Sequence, residues 1–177
     1  MQAATVLMGM NTARERFEDL LGQHERIVFK VAGMYCRHAE DRRDLAQEIC
    51  VQAWRSFGSY DAARSFSTWM YRIALNVAIS FARNAGHRER HAVSLDDGAL
   101  DVADDSASLQ EPDERVRALH EFISQLDSLN RALMLLYLED RGYREIAEVL
   151  GISETNVATK INRLKQRIRA GIAGTQQ

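Results

Sequence analysis

The chain has 177 residues, 46% of them hydrophobic, with ten Gly and one Pro, a composition that suits a soluble helical protein of one large or two small domains. Its net charge of -2 is unevenly spread: residues 1–93 carry 13 basic and 10 acidic side chains, residues 94–114 carry none and 8, and residues 115–177 carry 10 and 7. That division reads as two mildly basic bodies joined by an acidic strap, and no apolar run is long enough to cross a membrane.

The opening MQAATVLMGM has neither a basic start nor a cleavage site. Residues 1–13 therefore read as a disordered end rather than a signal peptide, with Met8 or Met10 as an alternative start. Over 14–35 the residues Phe17, Leu20, Leu21, Ile27, Val28, Val31 and Tyr35 fall at helical spacing and form a core helix. His24 lies on the same face with no carboxylate or second ligand paired with it by sequence, so it reads as a packed histidine.

A second helix is expected over about 41–57, with Leu45, Ile49, Ala53 and Phe57 inward, Asp44, Gln47, Glu48 and Gln52 outward, and Trp54 at the edge. Asp44 and Glu48 are spaced for acid and base work, but no Gly-rich loop or metal triad accompanies them, which favours a docking or solvated face. Cys36 and Cys50 read as buried packing in a reducing cytoplasm. With His38 they lack a fourth ligand and a CxxC pair, so neither a metal nor another cofactor is expected.

Residues 58–65 form a polar connector, and Ser65 is placed to cap a third helix over about 66–84. Its buried stripe is expected to be Phe66, Met70, Ile73, Val77 and Phe81, while Arg72, Asn76, Ser80 and Arg83 lie within about a quarter turn of one another. Trp69 and Tyr71 would add aromatic surface nearby. Two readings compete for this segment: a face for single-stranded nucleic acid, whose phosphates want Arg and whose bases want π faces, or a plain amphipathic helix with Trp69 in the core. Leu75 and Ile79, beside the polar row, are expected to be exposed and open to a partner.

Residues 86–112 have no apolar period and contain the only proline, Pro112, and read as a flexible acidic linker. Beyond it, Val116, Leu119, Phe122, Ile123 and Leu126 suggest one helix, and Leu129, Leu133, Leu136 and Tyr137 another that opens near Asp127 or Ser128.

Residues 143–169, YREIAEVLGISETNVATKINRLKQRIR, carry the most specific pattern. A short helix packing Ile146, Ala147 and Leu150 ends at Gly151, the left-handed residue of a sharp turn. Ser153 then caps a helix whose Val157, Ile161, Leu164 and Ile168 form one narrow apolar stripe. Small Ala147, the turn Gly151 and Val157 have the spacing of a helix-turn-helix; a helical hairpin with a solvated cationic end is the plainer alternative. At about 100° per residue, Asn156, Thr159, Asn162, Arg163 and Gln166 oppose the stripe, with Ala158 and Lys165 on one flank and Lys160 and Arg167 on the other. The first group is placed to read base edges and the flanking cations to hold phosphates.

Taken together, these segments resemble the extracytoplasmic-function (ECF) group of bacterial RNA polymerase sigma factors, which keep the two regions called two and four. Asp44-Leu45-Ala46-Gln47-Glu48 followed by Ala53-Trp54 looks like the family's DLxQExFxxAW helix, and residues 66–76, FSTWMYRIALN, look like its FxxWLYRIAxN segment. Residues 126–131, Glu145-Ile146-Ala147 and residues 151–169 resemble region four. The resemblance implies an all-α chain of two small helical domains: region two at 14–85, a linker at 86–112, region four at 113–172 and a tail at 173–177.

It further implies that Asp44, Leu45, Gln47, Glu48 and Trp54 bind core RNA polymerase. Trp69, Tyr71, Arg72, Asn76, Ser80 and Arg83 would melt and read the minus-ten promoter element. The helix-turn-helix, through Asn156, Thr159, Lys160, Asn162, Arg163, Lys165, Gln166 and Arg167, would bind the minus-thirty-five element. An anti-sigma factor, a cytoplasmic location, no membrane insertion of the chain itself and a stress or envelope regulon belong to the same expectation. Ser80 stands where the family often has Asp, Asp127 where it often has Pro, and Ala158 where it often has a cation, and these departures bear on which promoter is read. The rival from another class is a cytoplasmic helix-turn-helix regulator whose front half senses a ligand or partner. An enzyme is disfavoured because no catalytic constellation occurs.

Overall fold

The computed structural model describes the backbone of residues 2–91 and 114–174, and side chains within 12–84, 118–119 and 121–170. Helices α1 (Gln2–Tyr35), α2 (Ala39–Ser56) and α3 (Phe66–His91), with a 3-10 turn at Phe57–Ser59 between the last two, precede α4 (Glu114–Ser124), α5 (Ser128–Leu138), α6 (Tyr143–Leu150) and α7 (Glu154–Gly174). Among the described residues every regular element is helical, as the apolar periodicity requires. Helix α1 begins at Gln2 rather than near Arg14, since Ala, Leu and Met dominate the stretch and no Pro interrupts it. Helix α3 likewise runs on to His91, a single glycine at Gly86 being a cost of about 1 kcal/mol rather than a stop. Most of the expected linker, 92–112, and the end of the tail, 175–177, lie outside the described residues.

In the first body α1, α2 and α3 pack pairwise. Ile27, Val28, Val31 and Ala32 from α1 meet Leu45, Ile49 and Ala53 from α2 and Phe66, Met70 and Ala74 from α3, all buried. The connector is fastened by aromatic rings: Phe57 lies 5.1 Å from Phe17, and Tyr60 lies 5.4 Å from Phe66 and 5.2 Å from Trp69. His24 is a packed histidine, its Nδ1 2.9 Å from the Leu20 carbonyl and its ring 5.0 Å from Phe66. Cys36 is buried and Cys50 half-buried; burial pushes the Cys36 thiol up to about 11 and Cys50 in the same direction, which leaves both unreactive.

In the second body Leu133 and Leu136 of α5 share a core with Ile123 and Leu126, Ile146 and Val149, and Val157, Ile161 and Leu164. The helix ends are satisfied locally. Asp127 Oδ1 accepts the Asn130 N–H at 3.0 Å, and Ser153 Oγ accepts the Asn156 N–H at 3.2 Å. Gly151 is left-handed at φ 67° and the Ile152 N–H returns to the Ala147 carbonyl, which closes α6 and turns the chain. Val149 is buried while Leu150 is only half-buried, because α6 packs against α3 as well as α5 and α7.

The two bodies are joined side by side: α3 packs against α5 and α6, and α1 against α5. This changes the expected surface of α3. Tyr71 and Leu75 are each 1% exposed and Ala78 is fully buried, and spacings of four and three place them on one stripe, while Ile79 is half-buried. Expected as surface, Tyr71 and Leu75 are instead covered, because α3 has core on one side and the second body on another. Of the expected inner stripe, Ile73, Val77 and Phe81 are only partly buried.

Candidate nucleic-acid interface

Three polar faces survive this packing. On α7, with Val157, Ile161 and Leu164 buried, Asn156, Thr159, Asn162, Arg163 and Gln166 are all exposed on the opposite side. Thr159 Oγ1 donates to the Thr155 carbonyl at 2.9 Å, leaving its lone pairs outward. The flanking cations are more engaged than spacing suggests. Lys165 Nζ lies 4.3 Å from the Tyr137 ring centroid, and its bond to Tyr137 raises its pKa. The Arg167 guanidinium lies 5.6 Å from the Phe122 ring, and Lys160 is half-buried. Arg167 is nevertheless exposed and Lys165 half-buried.

On α3 the row Arg72, Asn76, Ser80 and Arg83 is exposed. Trp69 reconciles the two readings of this helix. It is half-buried, 5.2 Å from both Tyr60 and Phe66, yet together with Arg64, Thr68, Arg72, Glu148 and Val149 it also lines a cavity of about 180 Å³. Tyr71 does not join the row: its Oη donates to Glu139 Oε2 at 3.2 Å, and the Arg141 guanidinium lies over its ring. Ser65 stands immediately before the helix, its carbonyl accepting the Trp69 N–H at 3.1 Å and its hydroxyl 2.9 Å from Ser67 Oγ.

On α2, Asp44, Gln47 and Glu48 are exposed, Gln52 donating to Glu48 Oε1 at 2.8 Å. Leu45 is fully buried and so supports this face from beneath. Trp54 is 41% exposed, with its other side against Phe17 at 5.3 Å. Beside Gln47 an open groove of about 470 Å³ runs between α1 and α2, lined by Leu21, Val28, Ala46 and the exposed Phe29.

The first body and the second correspond to separate families of sequence. Residues 20–88 match the Sigma-70 region 2 family and residues 116–168 the Sigma-70 region 4 family. A sigma-E factor of Haemophilus influenzae, an ECF RNA polymerase sigma factor, is 30% identical over 78% of this chain and 79% of its own length. The chain belongs to the ECF sigma factors of bacterial RNA polymerase. Sigma-E of Mycolicibacterium smegmatis, also of this group, is 27% identical over 93% of the chain, which spans 65% of that relative's length. In fold the sigma factor resembles RpoE of Bartonella quintana, solved in complex with the anti-sigma factor NepR, with a TM-score of 0.72 at 17% identity over 90% of this chain and 98% of that one.

Sigma factors direct promoter-specific initiation and are non-enzymatic, and among the described residues no group of His, Cys, Asp and Glu could hold a metal ion. No helix among them is long and apolar enough to cross a membrane. Sequence reasoning missed the polar contacts between the two bodies, which involve Lys30, Arg64, Thr68 and Tyr71 on one side and Glu139, Arg141, Glu145 and Glu148 on the other. Partners 68 to 109 positions apart leave no local pattern to read.

Proposed function

We propose that this sigma factor divides its work among the three polar faces. Asp44, Gln47, Glu48 and the exposed edge of Trp54, held in place by buried Leu45, dock on core RNA polymerase. Arg72, Asn76, Ser80 and Arg83, with Trp69 at the end of the row, meet the opened minus-ten element, where cations take phosphates and the half-exposed indole offers a stacking surface. Asn156, Thr159, Asn162, Arg163 and Gln166 enter the major groove of the minus-thirty-five element, with Lys160, Lys165 and Arg167 toward the flanking phosphates.

One observation carries this division: in each of α2, α3 and α7 the apolar stripe is spent on the core while the polar row is exposed. We take 14–85 and 113–172 as the domain limits, a reading supported by the pairwise packing of α1 to α3 and of α5 to α7. Work on polymerase and promoter places the protein in the cytoplasm. The structural relative solved with an anti-sigma factor supports a partner of that kind here, and a stress or envelope regulon accords with that class. A stand-alone helix-turn-helix regulator would not need the acidic docking face of α2.

Transcription in vitro with purified core polymerase tests the whole reading. Added sigma factor should confer initiation at promoters from its native genome. Tight DNA binding without initiation would instead mark a regulator.

A further inference from the structure

The contacts between the two bodies form a ladder of charge and hydroxyl pairs. Lys30 Nζ donates to Glu139 Oε1 at 2.6 Å and Tyr71 Oη to Oε2 of the same carboxylate at 3.2 Å. Thr68 Oγ1 donates to Glu145 Oε1 at 2.7 Å, and Arg64 pairs with Glu148 at 2.9 Å. Arg141 reaches both Ser67 Oγ, at 3.1 Å, and Glu145, at 2.7 Å. Tyr35 Oη donates to the Ser128 carbonyl at 2.6 Å, and Arg131 donates to the Met34 carbonyl at 3.4 Å.

The ladder lies where it obstructs. Glu145 and Glu148 stand at the start of α3, and Glu148 and Val149 share a cavity wall with Trp69 and Arg72. Two carboxylates thus occupy a hydroxyl and a guanidinium beside the indole, the kind of groups that otherwise attract a phosphodiester backbone.

We propose that the 139–148 segment is an autoinhibitory latch: its acidic side chains stand in for DNA phosphates and hold the helix-turn-helix body over the Trp69 end of α3. This rests on the reading of α3 as the promoter-facing helix. The two pairs open to solvent, Lys30 with Glu139 and Arg64 with Glu148, each contribute little and are screened by salt, so the closed arrangement is favoured without being locked and yields to a partner that binds the open one. Nucleic acid, with far denser negative charge, competes for the same groups.

Small-angle X-ray scattering of the full chain, without DNA or polymerase, reads closure directly. The wild type should be compact at low salt and expand as salt rises. Glu139→Lys, which sets like charges against Lys30, should be expanded at low salt, and adding Lys30→Glu should restore compaction. No expansion in Glu139→Lys, or no recovery in the swap, overturns the latch. If Glu139→Lys loses its helical circular dichroism, the milder Glu139→Gln takes its place, with a partial expansion expected.

Binding of a fluorescent single-stranded oligonucleotide reads the obstruction. Glu145→Gln with Glu148→Gln should bind roughly three- to tenfold tighter than the wild type. The control pair Glu15→Gln with Glu121→Gln, exposed elsewhere, should gain much less. Equal gains overturn the inhibitory role. An expanded variant that binds no single strand at all would instead overturn the reading of α3 on which the latch rests.

Discussion

The Arg141 guanidinium lies 5.0 Å from the centroid of the Tyr71 ring, pairing a residue just before the helix-turn-helix with one on the helix of the other body. Burial first, and then the neighbouring Glu139 carboxylate, push the Tyr71 hydroxyl up to about 12. The folded chain therefore prefers the neutral phenol. Its contribution to stability is whole below the ordinary tyrosine value near 10.0 and is lost as pH rises through about 12.

Tyr71→Phe keeps the ring under Arg141 and removes the bond to Glu139, which should cost about 0.5–1.5 kcal/mol at neutral pH. Burial shifts Tyr35, Cys36 and Cys50 in the same direction, so both proteins should lose stability at high pH, the wild type by more because Tyr71 adds to the loss. Urea unfolding at pH 8 and pH 11 measures the difference. An identical drop in both proteins would show that Tyr71 does not contribute to the alkaline loss.

Two left-handed residues end neighbouring helices, Asp140 at φ 56° after α5 and Gly151 at φ 67° after α6. A Cβ at Gly151 meets nothing within 4 Å, so Gly151→Ala should cost about 1–2 kcal/mol from backbone conformation alone. Asp140→Gly should have the opposite sign and a smaller size, since Asp already tolerates this region by bonding locally. Chemical denaturation of both variants checks the signs; a stabilising Gly151→Ala would mean the turn relaxes out of the left-handed region.

What could be read from the sequence was whatever depends on neighbours along one helix. The opening of α5 at Ser128, the Ser153 cap, the Gly151 turn and the burial of Val157, Ile161 and Leu164 are as the spacing predicts, whereas Ile168 of the same stripe is only partly buried. The sides of α3 were not, because Tyr71 and Leu75 carry no mark saying that a second body will cover them. Lys165 and Arg167 show the same limit: spacing places them on the flanks of α7, but only the fold brings Tyr137 and Phe122 beneath their charges.

Asp44 and Glu48 project from a helix anchored by buried Leu45 and Ile49. Reversing both charges with Asp44→Arg and Glu48→Arg should leave stability within about 0.5 kcal/mol, as for most exposed substitutions. Affinity for core polymerase should fall by at least about tenfold, since like charges then meet across a complementary interface. Competition against wild type for core polymerase decides it, and undiminished competition would move the docking site off this face.

Asn76 is exposed between Arg72 and Ser80 on α3, where its amide can pair with an unstacked base. Asn76→Ala should reduce open-complex formation on a duplex promoter more than on one already mismatched at the minus-ten element. Potassium permanganate footprinting on both templates reports it. Equal losses would mean that Asn76 reads bases without helping to expose them, and no loss on either would place it away from the strand.

On the proposed reading, α7 separates residues that specify from residues that hold. Asn162 and Arg163 are exposed opposite the buried Val157, Ile161 and Leu164, so they can enter a major groove without disturbing the core. Asn pairs with adenine edges and Arg with guanine, each good bidentate pair giving about 1–3 kcal/mol of discrimination. Asn162→Ala and Arg163→Ala should therefore change which minus-thirty-five sequences are preferred. Lys165 flanks that face, where it can hold a phosphate but no base edge, so Lys165→Ala should weaken all sites alike. Selection from randomised minus-thirty-five sequences distinguishes the two classes. Unchanged preferences in the Asn162 and Arg163 variants, or an altered preference in Lys165→Ala, would mean that α7 enters the groove with a different face.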